Sequence, residues 1–310
     1  MSVPSMPTAA TGDIGAFTEA GLDELGGLVA RGGVIVLSGA GLSTESGIPD
    51  YRGPDGTRRV TPMEFAEFTG SSEARQRYWA RSYIGWQRFS RAEPNRGHRA
   101  VADLQRAGLV AAVVTQNVDG LHQTAGAVDV VELHGNLDQV VCLTCGDLTG
   151  RAALHDRLAE ANPGFVTVPA SGRGPVLCVA PDGSRVTSQI RPDGDIVLSD
   201  AVTSRFHLPR CLVCGADTLK PDVVFFGESV PKPKVERCFG LVDMARSLLV
   251  LGSSLAVMSG YRFVRRAARN GIPVAIVTAS ASRGDPEATL RLHTALGATL
   301  ERVVAGLGVA

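Results

Sequence analysis

Four cysteines set the first chemical constraint on this chain. Cys142 and Cys145 are separated by two residues, and so are Cys211 and Cys214. A Cys-x-x-Cys turn points both sulfurs at one place. Two such turns complete a tetrahedral set of four thiolates, which is the donor set that takes zinc. Four protein donors leave no open position, so a zinc held this way is structural. The intervening stretch, residues 146–210, is longer than the common spacing. The turn sequences Pro181-Asp182-Gly183 and Pro192-Asp193-Gly194 within it are a means of bringing the pairs together. The competing explanation is one redox motif with a second pair by coincidence. Cys238 reads as the core of a helix, and Cys178 has no assigned role.

Three polar clusters follow short apolar runs. Val34–Leu37 reads as a strand buried on both faces. Directly after it come Gly39, Ala40, Gly41 and Ser43. Small residues there let backbone N–H groups approach a pyrophosphate. A Gly-Ala-Gly also occurs where a strand simply packs against a helix, and the acidic residue usual about 20 positions on is not obvious. Gly47-Ile48-Pro49-Asp50-Tyr51-Arg52-Gly53 then breaks any long helix and reads as a polar lid. Leu109–Thr115 ends in Gln116-Asn117-Val118-Asp119-Gly120, and Val130–Leu133 ends in His134-Gly135. Strand C-termini in open α/β sheets are where ligands bind. By itself Asn117–Gly120 is also an ordinary Asx turn. A lone histidine is more often structural, and His98, His122, His155, His207 and His293 take that default.

The elements that must position these groups alternate. Residues 21–31 place Leu22, Leu25, Leu28 and Val29 on one helical face. Residues 60–93 carry Met63, Phe65, Phe68, Tyr78, Trp79, Tyr83, Trp86 and Phe89 and read as a helical module with those aromatics as its core. Pro94-Asn95 opens a helix that stops at Gly108. From Val140 to Lys220 the alternation gives way to short β-like runs. It resumes with Val223–Phe226, a helix near Lys234–Ala245, strand Leu248–Leu251, the turn Gly252-Ser253-Ser254 and a helix over Tyr261–Asn270. Strands at Val274–Val277 and Leu290–Leu292 and a C-terminal helix finish the chain. The pattern predicts an α/β fold, a doubly wound, Rossmann-like parallel sheet with a smaller domain. Residues 20–56, 94–139 and 220–310 form the sheet domain, and residues 57–93 and 140–219 the helical and ribbon parts of the smaller one. Residues 1–19 read as a flexible tail.

With 310 residues the length suits about two domains. Zero formal net charge argues against nucleic-acid or membrane binding through bulk electrostatics. No apolar run approaches the ~20 residues of a membrane span. Residues 1–17 lack the basic start and apolar core of a signal peptide, lack arginine and carry Asp13. Six cysteines without an export signal point to metal or reduced thiols. The expected location is therefore cytoplasmic. Lysine occurs only at Lys220, Lys232 and Lys234, which suggests a GC-rich bacterial coding bias.

Taken together, Gly39-Ala40-Gly41-x-Ser43, Gly47-Ile48-Pro49-Asp50-Tyr51-Arg52, Gln116-Asn117-x-Asp119 and His134-Gly135 resemble the sirtuins, the NAD-dependent protein lysine deacylases. The cysteine pairs, Lys220–Glu228 and Gly252-Ser253-Ser254-Leu255 extend the resemblance over roughly residues 20–308. Thr44-Glu45-Ser46 and Arg77-Tyr78-Trp79-Ala80-Arg81 look like the class II branch. The resemblance implies a zinc ribbon, NAD as co-substrate and acyl-lysine proteins as partners. It puts the pyrophosphate on Gly39, Gly41, Ser43 and Ser254, with Ala40, Gly252 and Ser253 also contacting the cofactor, and the nicotinamide amide on Asp119 and Ile48. Asp50, Tyr51, Arg52 and Gln116 complete the cofactor contacts, and Val224, Phe225, Phe226 and Gly227 meet the peptide, entering as an added strand. The acyl-lysine carbonyl oxygen attacks the ribose carbon as nicotinamide leaves. Asn117 orients ribose and water, and His134 is the general base on a ribose hydroxyl. The products are free lysine, nicotinamide and O-acyl-ADP-ribose.

One departure is Thr278, which stands where relatives carry an asparagine on the adenosine ribose; NAD binding with altered affinity follows. Tyr78 and Arg81 lie three apart on a helix and look like the pair with which acidic-acyl sirtuins bind a carboxylate. That points to glutaryl-type acyl groups. The alternative is that Tyr78 packs the module and Arg81 meets Glu73. Two other functions fit less of the chain: protein mono-ADP-ribosylation, and a non-catalytic NAD-sensing zinc-ribbon module. For the latter, Asp193, Asp195 and Asp200 offset Arg205 and Arg210. Neither the protein substrate nor the oligomeric state is written in these motifs.

Overall fold

The computed structural model describes residues 18–51, 57, 61–165 and 191–309, and the backbone of 176–179 and 185–188. In chain order the helices and strands are α1 (Glu19–Ala30), β1 (Val34–Ser38), α2 (Phe65–Gly70), α3 (Ser72–Phe89), α4 (Arg96–Arg106), β2 (Val110–Thr115), α5 (Leu121–Thr124) and β3 (Val130–Glu132). There follow β4 (Gly135–Cys142), β5 (Leu148–Gly150), α6 (Arg151–Ala161), β6 (Val176–Val179), β7 (Arg185–Ser188), α7 (Asp200–Thr203) and β8 (Leu219–Val223). The chain closes with α8 (Lys232–Asp243), β9 (Ser247–Leu251), α9 (Met258–Arg269), β10 (Val274–Thr278), β11 (Leu290–His293) and α10 (Leu296–Gly306). A 3-10 turn, Ala40–Ser46, stands where a long helix would otherwise follow β1.

Six strands form one parallel sheet in the order β11-β10-β9-β1-β2-β3. Every residue of β1, β9 and β10 is buried. Their side chains divide between two cores, as period-two alternation requires. Val34 and Val36 join the cluster with Leu25, Leu104 and Leu300, while Ile35 and Leu37 join the cluster with Phe263 and Val242. Strand order reverses between β1 and β9. A sheet that winds outward in both directions opens a crevice at that point, beyond the C-terminal ends of its central strands.

Two excursions build the second lobe. One is α2 and α3, after β1; the other runs from β4 to β8 and contains the antiparallel sheet β5-β4-β8. Their shared core includes Phe68, Tyr78, Trp79, Leu154, Phe206 and Phe225. Trp79 is fully buried and its indole N–H donates to the Leu219 carbonyl at 2.8 Å. The Arg151 guanidinium lies inside this core, 5.2 and 4.9 Å from the Trp79 and Trp86 ring centres, where aromatic faces attract a desolvated cation.

The stretch from Val140 to Lys220 is not purely β-like, because α6 lies within it. Only Leu154 and Leu158 form its buried apolar stripe, one turn apart, beside the aliphatic stem of Arg151. So thin a stripe among arginines and acids leaves little periodic signal. Strands β6 and β7 pair antiparallel; Pro181-Asp182-Gly183 between them lies outside the described residues, and so does the stretch 1–17. Pro192-Asp193-Gly194 is a turn, with the Gly194 N–H donating to the Arg191 carbonyl at 3.0 Å. It does not close a hairpin at the ribbon. It folds against α3, where a Cβ on Gly85 would collide with the Gly194 carbonyl oxygen. Helix α9 starts at Met258 rather than at Tyr261. Among the described residues no helix is long and apolar enough to cross a membrane.

Candidate active site and metal centre

The two cysteine pairs sit in matching turns. The Gly146 N–H donates to the Cys142 carbonyl at 2.8 Å and the Gly215 N–H to the Cys211 carbonyl at 3.0 Å, with φ of 75° and 73° at the two glycines. Pairing of Cys142 with Leu219 across β4 and β8 brings the turns side by side. All four sulfurs lie within 4.8 Å of one another, with Cys142–Cys214 at 3.6 Å and Cys145–Cys211 at 3.7 Å. A tetrahedron with zinc–sulfur bonds of about 2.3 Å has edges of about 3.8 Å. The four thiolates therefore fit one structural zinc. A bound zinc would supply a crosslink between β4 and the segment before β8. Cys238 is fully buried in α8, and the side chain of Cys178 lies outside the described residues.

The crevice between β1 and β9 is lined by two glycine turns in direct contact. The Gly41 N–H donates to the Gly252 carbonyl at 2.8 Å. A Cβ on Gly41 would sit 2.8 Å from that oxygen, and Gly252 has φ of 63°. No larger residue fits where the turns cross. The polar floor begins beside them. Asn117 Nδ2 donates to the Gly39 carbonyl at 3.1 Å and to Ser43 Oγ at 3.0 Å. Ser43 Oγ donates to Asp119 Oδ2 at 2.6 Å, and Asp119 Oδ1 caps the Leu121 N–H at 3.0 Å. Burial lifts the Asp119 pKa above its ordinary value, against the opposing Ser43 hydroxyl and Leu121 N–H.

Two default histidines belong to this floor. His98 Nδ1 accepts from the Asn95 backbone N–H at 3.4 Å, so its proton sits on Nε2, 3.5 Å from Ser43 Oγ. His122 Nε2 lies 2.8 Å from Ser38 Oγ. Burial pushes His98 down to about 4 and His122 to about 3. Both are neutral supports of the floor.

His134 faces the crevice from the end of β3. Its Nδ1 is 2.9 Å from the Gln116 carbonyl oxygen. A carbonyl only accepts, so Nδ1 carries the proton and Nε2 presents a lone pair. Burial lowers this histidine to about 4; the Gln116 carbonyl opposes the shift, and Lys234 and Arg262 reinforce it. The ring is thus a neutral base over the ordinary pH range.

On the opposite wall, buried Lys220 pairs with Glu228 at 3.0 Å, and Glu228 accepts from the Phe225 N–H at 2.8 Å. This pair holds the loop after β8. Phe226 packs edge-on against Tyr51, ring centres 5.8 Å apart, and its carbonyl accepts from the Phe65 N–H at 2.8 Å.

These groups share one cavity of about 870 Å³, inside the usual ligand-site range of about 300–1,000 Å³. Gly39, Ala40, Gly41, Ser43, Ile48, Asp50, Tyr51, Gln116, Asn117, Asp119, His134, Gly252, Ser253, Ser254 and Thr278 all line it, as do Val224, Phe225, Phe226, Gly227 and Tyr78. Arg52 lies outside the described residues. Arg81 is not among the lining residues; its Nε–H is buried without a hydrogen-bond partner among the described residues. Ser259, Arg262, Met63 and Asp193 also line the cavity, although the sequence pattern gave none of them a place in it. Starting α9 at Tyr261 hid Ser259 in a loop. The signal was its place just after the Gly252-Ser253-Ser254 turn, where a helix N-terminus meets the crevice. Asp193 was assigned to a ribbon hairpin, and only the packing of its turn on Gly85 brings it here.

A doubly wound sheet, a cysteine-ribbon lobe and a cavity with a polar floor define the class as an α/β nucleotide-fold protein with an inserted second lobe. A family model described as the Sir2 family matches residues 39–259. "NAD-dependent protein deacetylase 1" of Streptomyces coelicolor is 56% identical over 279 residues, covering 90% of this chain and 87% of that protein. The protein of the same name in Mycobacterium avium is 48% identical over 269 residues, covering 87% of this chain and 89% of its own length. Among solved structures, one described as "Sir2-p53 peptide-NAD+" aligns with a TM-score of 0.70 at 27% identity, covering 93% of this chain and 99% of that one. Another, "Structure of Sir2Tm bound to a propionylated peptide", aligns at 0.69 and 26%, with the same coverages. The chain belongs to the Sir2 family, the sirtuins.

Proposed function

We propose that this protein removes acyl groups, acetyl among them, from protein lysine side chains with NAD as co-substrate. The carrying observation is His134: a neutral imidazole with Nε2 unprotonated, in the cavity that also holds the Gly39–Gly41 and Gly252–Ser254 turns. Glycine turns at the switch point suit a pyrophosphate, and NAD would rest there and on Thr278. The names of the bacterial relatives and of the peptide-bound structures support the same activity.

Within this function, Asp119, held by Ser43, binds the nicotinamide amide together with Ile48. Asn117 orients the ribose. His134 Nε2 takes a proton from a ribose hydroxyl. The loop Val224–Gly227, fixed by Glu228 and Lys220, receives the acyl-lysine peptide. The products are nicotinamide, free lysine and O-acyl-ADP-ribose. Tyr78 on the cavity wall, with Arg81 one turn further along α3, is where the far end of the acyl group is bound.

Incubation with NAD and a panel of acyl-lysine peptides tests this, with masses of all products. Acyl-ADP-ribose in step with nicotinamide is the expected result. ADP-ribose attached to protein, without loss of acyl groups, would mean transferase chemistry instead.

A further inference from the structure

His134 has a second hydrogen bond that the function above leaves unexplained. Ser259 Oγ lies 2.8 Å from His134 Nε2. Because the Gln116 carbonyl fixes the proton on Nδ1, Nε2 can only accept, and the Ser259 hydroxyl must donate. Ser259 is the second residue of α9 and lines the same cavity.

The start of α9 is fixed by the residue that also sets the tautomer. A Cβ on Gly260 would run into the Gln116 side chain. That side chain donates from Nε2 to Ser253 Oγ at 2.8 Å. Gln116 therefore holds His134 through its carbonyl and seats the first turn of α9 through its amide. Ser259 is delivered to the imidazole by both constraints.

Resting on the function proposed above, we propose that Ser259 is the positioning residue of the general base. Its hydroxyl keeps the imidazole aligned with the Nε2 lone pair towards the cavity. A ribose hydroxyl reaching Nε2 takes the donor place and the serine rotates away. The ribose O–H bond then breaks as the Nε2–H bond forms, and Ser259 gives up no proton.

A bond donated to the neutral form holds a base's pKa down, so its loss raises it. The charged groups facing the ring, Lys234 on α8 and Arg262 on α9, lower its pKa in the same direction as that bond and remain in the variant. In Ser259→Ala, the acidic limb of kcat/KM should therefore move to higher pH. The rate at the optimum should fall by about three- to tenfold, the worth of one hydrogen bond. KM for NAD should change little.

The test has an arm without substrate. In NAD-free protein labelled with 15N-histidine, wild-type His134 should show the Nδ1–H tautomer, and Ser259→Ala should titrate at higher pH. Ser259→Thr, which keeps the hydroxyl, should restore both the spectrum and the rate profile. A Ser259→Ala protein with the wild-type titration and acidic limb overturns the proposal. So does an equal loss in the alanine and threonine variants with no pH shift, which would mark a packing role. Failure of the parent function reads differently, because His134→Gln would then turn over normally whatever Ser259 does.

Discussion

Ser43 donates its hydroxyl proton to Asp119 at 2.6 Å, across the gap between the turn after β1 and the loop after β2. Two segments distant in sequence meet in one charge-assisted bond. Asn117 and His98 both donate to the same serine oxygen, so Ser43 has its own proton free only for the carboxylate. Such bonds are about twice as strong as neutral ones.

Ser43→Ala should therefore weaken the contact with nicotinamide proposed for Asp119. Burial already raises the Asp119 pKa, and the serine is the first group that holds it down. Without that donor the carboxylate protonates at higher pH, so activity should fall away at a higher pH on the acid side. Loss of a buried charged partner costs about 1–3 kcal/mol, or roughly five- to 150-fold in kcat/KM for NAD. Nicotinamide release followed against pH measures both effects; an unmoved acidic limb would remove Asp119 from the binding role.

The paired histidines under the floor make a stability prediction. His98 and His122 sit near 4 and 3 in the folded protein, below an unfolded value of about 6.5. The unfolded chain binds more protons below that value, so stability falls as pH drops from about 6.5 towards 4. Each histidine contributes a slope of up to about 1.4 kcal/mol per pH unit. His122→Gln keeps a donor for Ser38 and removes one titration. Its Tm should lie below wild type at pH 7.5 but fall less steeply on acidification. Parallel Tm curves for the two proteins would refute this.

Much of the site was legible because its chemistry lies at the ends of strands. Gly39–Ser43, Gln116–Asp119 and His134 each follow an apolar run, and a doubly wound sheet gathers strand ends at one crevice. The cysteine spacing was equally readable, since two-residue turns dictate where the sulfurs point. Contacts made by packing between distant segments were not. His98 and His122 look like solitary histidines until α4 and α5 are placed beneath the turn. Helix α6 shows too thin an apolar stripe. Pro192-Asp193-Gly194 was recognised as a turn, but turn chemistry does not say which surface the turn lies against.

Cys142→Ser should release the metal and loosen the ribbon lobe. Its sulfur is buried beside Cys214 and Thr218, and metal binding is folding energy where a site forms only in the folded chain. The expected result is less than one zinc per chain by elemental analysis and a clear drop in Tm, with the sheet domain's far-UV signal largely retained. A metal-free wild-type protein of unchanged stability would show that the four thiols need no zinc.

In the proposed function, binding of the acyl end turns on a balance of charge around α3. Tyr78 lines the cavity and is almost fully buried, while the Nε–H of Arg81 is buried and lacks an acceptor among the described residues. A carboxylate at the end of a glutaryl-type chain could supply that acceptor. The turn Pro192–Gly194 works against it. Asp193 lines the same wall, and Asp195 is buried within electrostatic reach of Arg81. Burial, and then the neighbouring Asp193 carboxylate, push the Asp195 pKa up to about 8, so an incoming carboxylate meets Asp193 as well as the guanidinium. Arg81→Met should then lower kcat/KM for glutaryl-type peptides more than for acetyl peptides. Asp193→Asn should do the reverse and favour the acidic acyl group, by about 0.5–1 kcal/mol for a partly exposed charge. The comparison needs both variants on both peptides. Proportional loss in Arg81→Met, or no loss on either peptide, would mean that Arg81 does not bind the acyl carboxylate and serves only to balance Asp195.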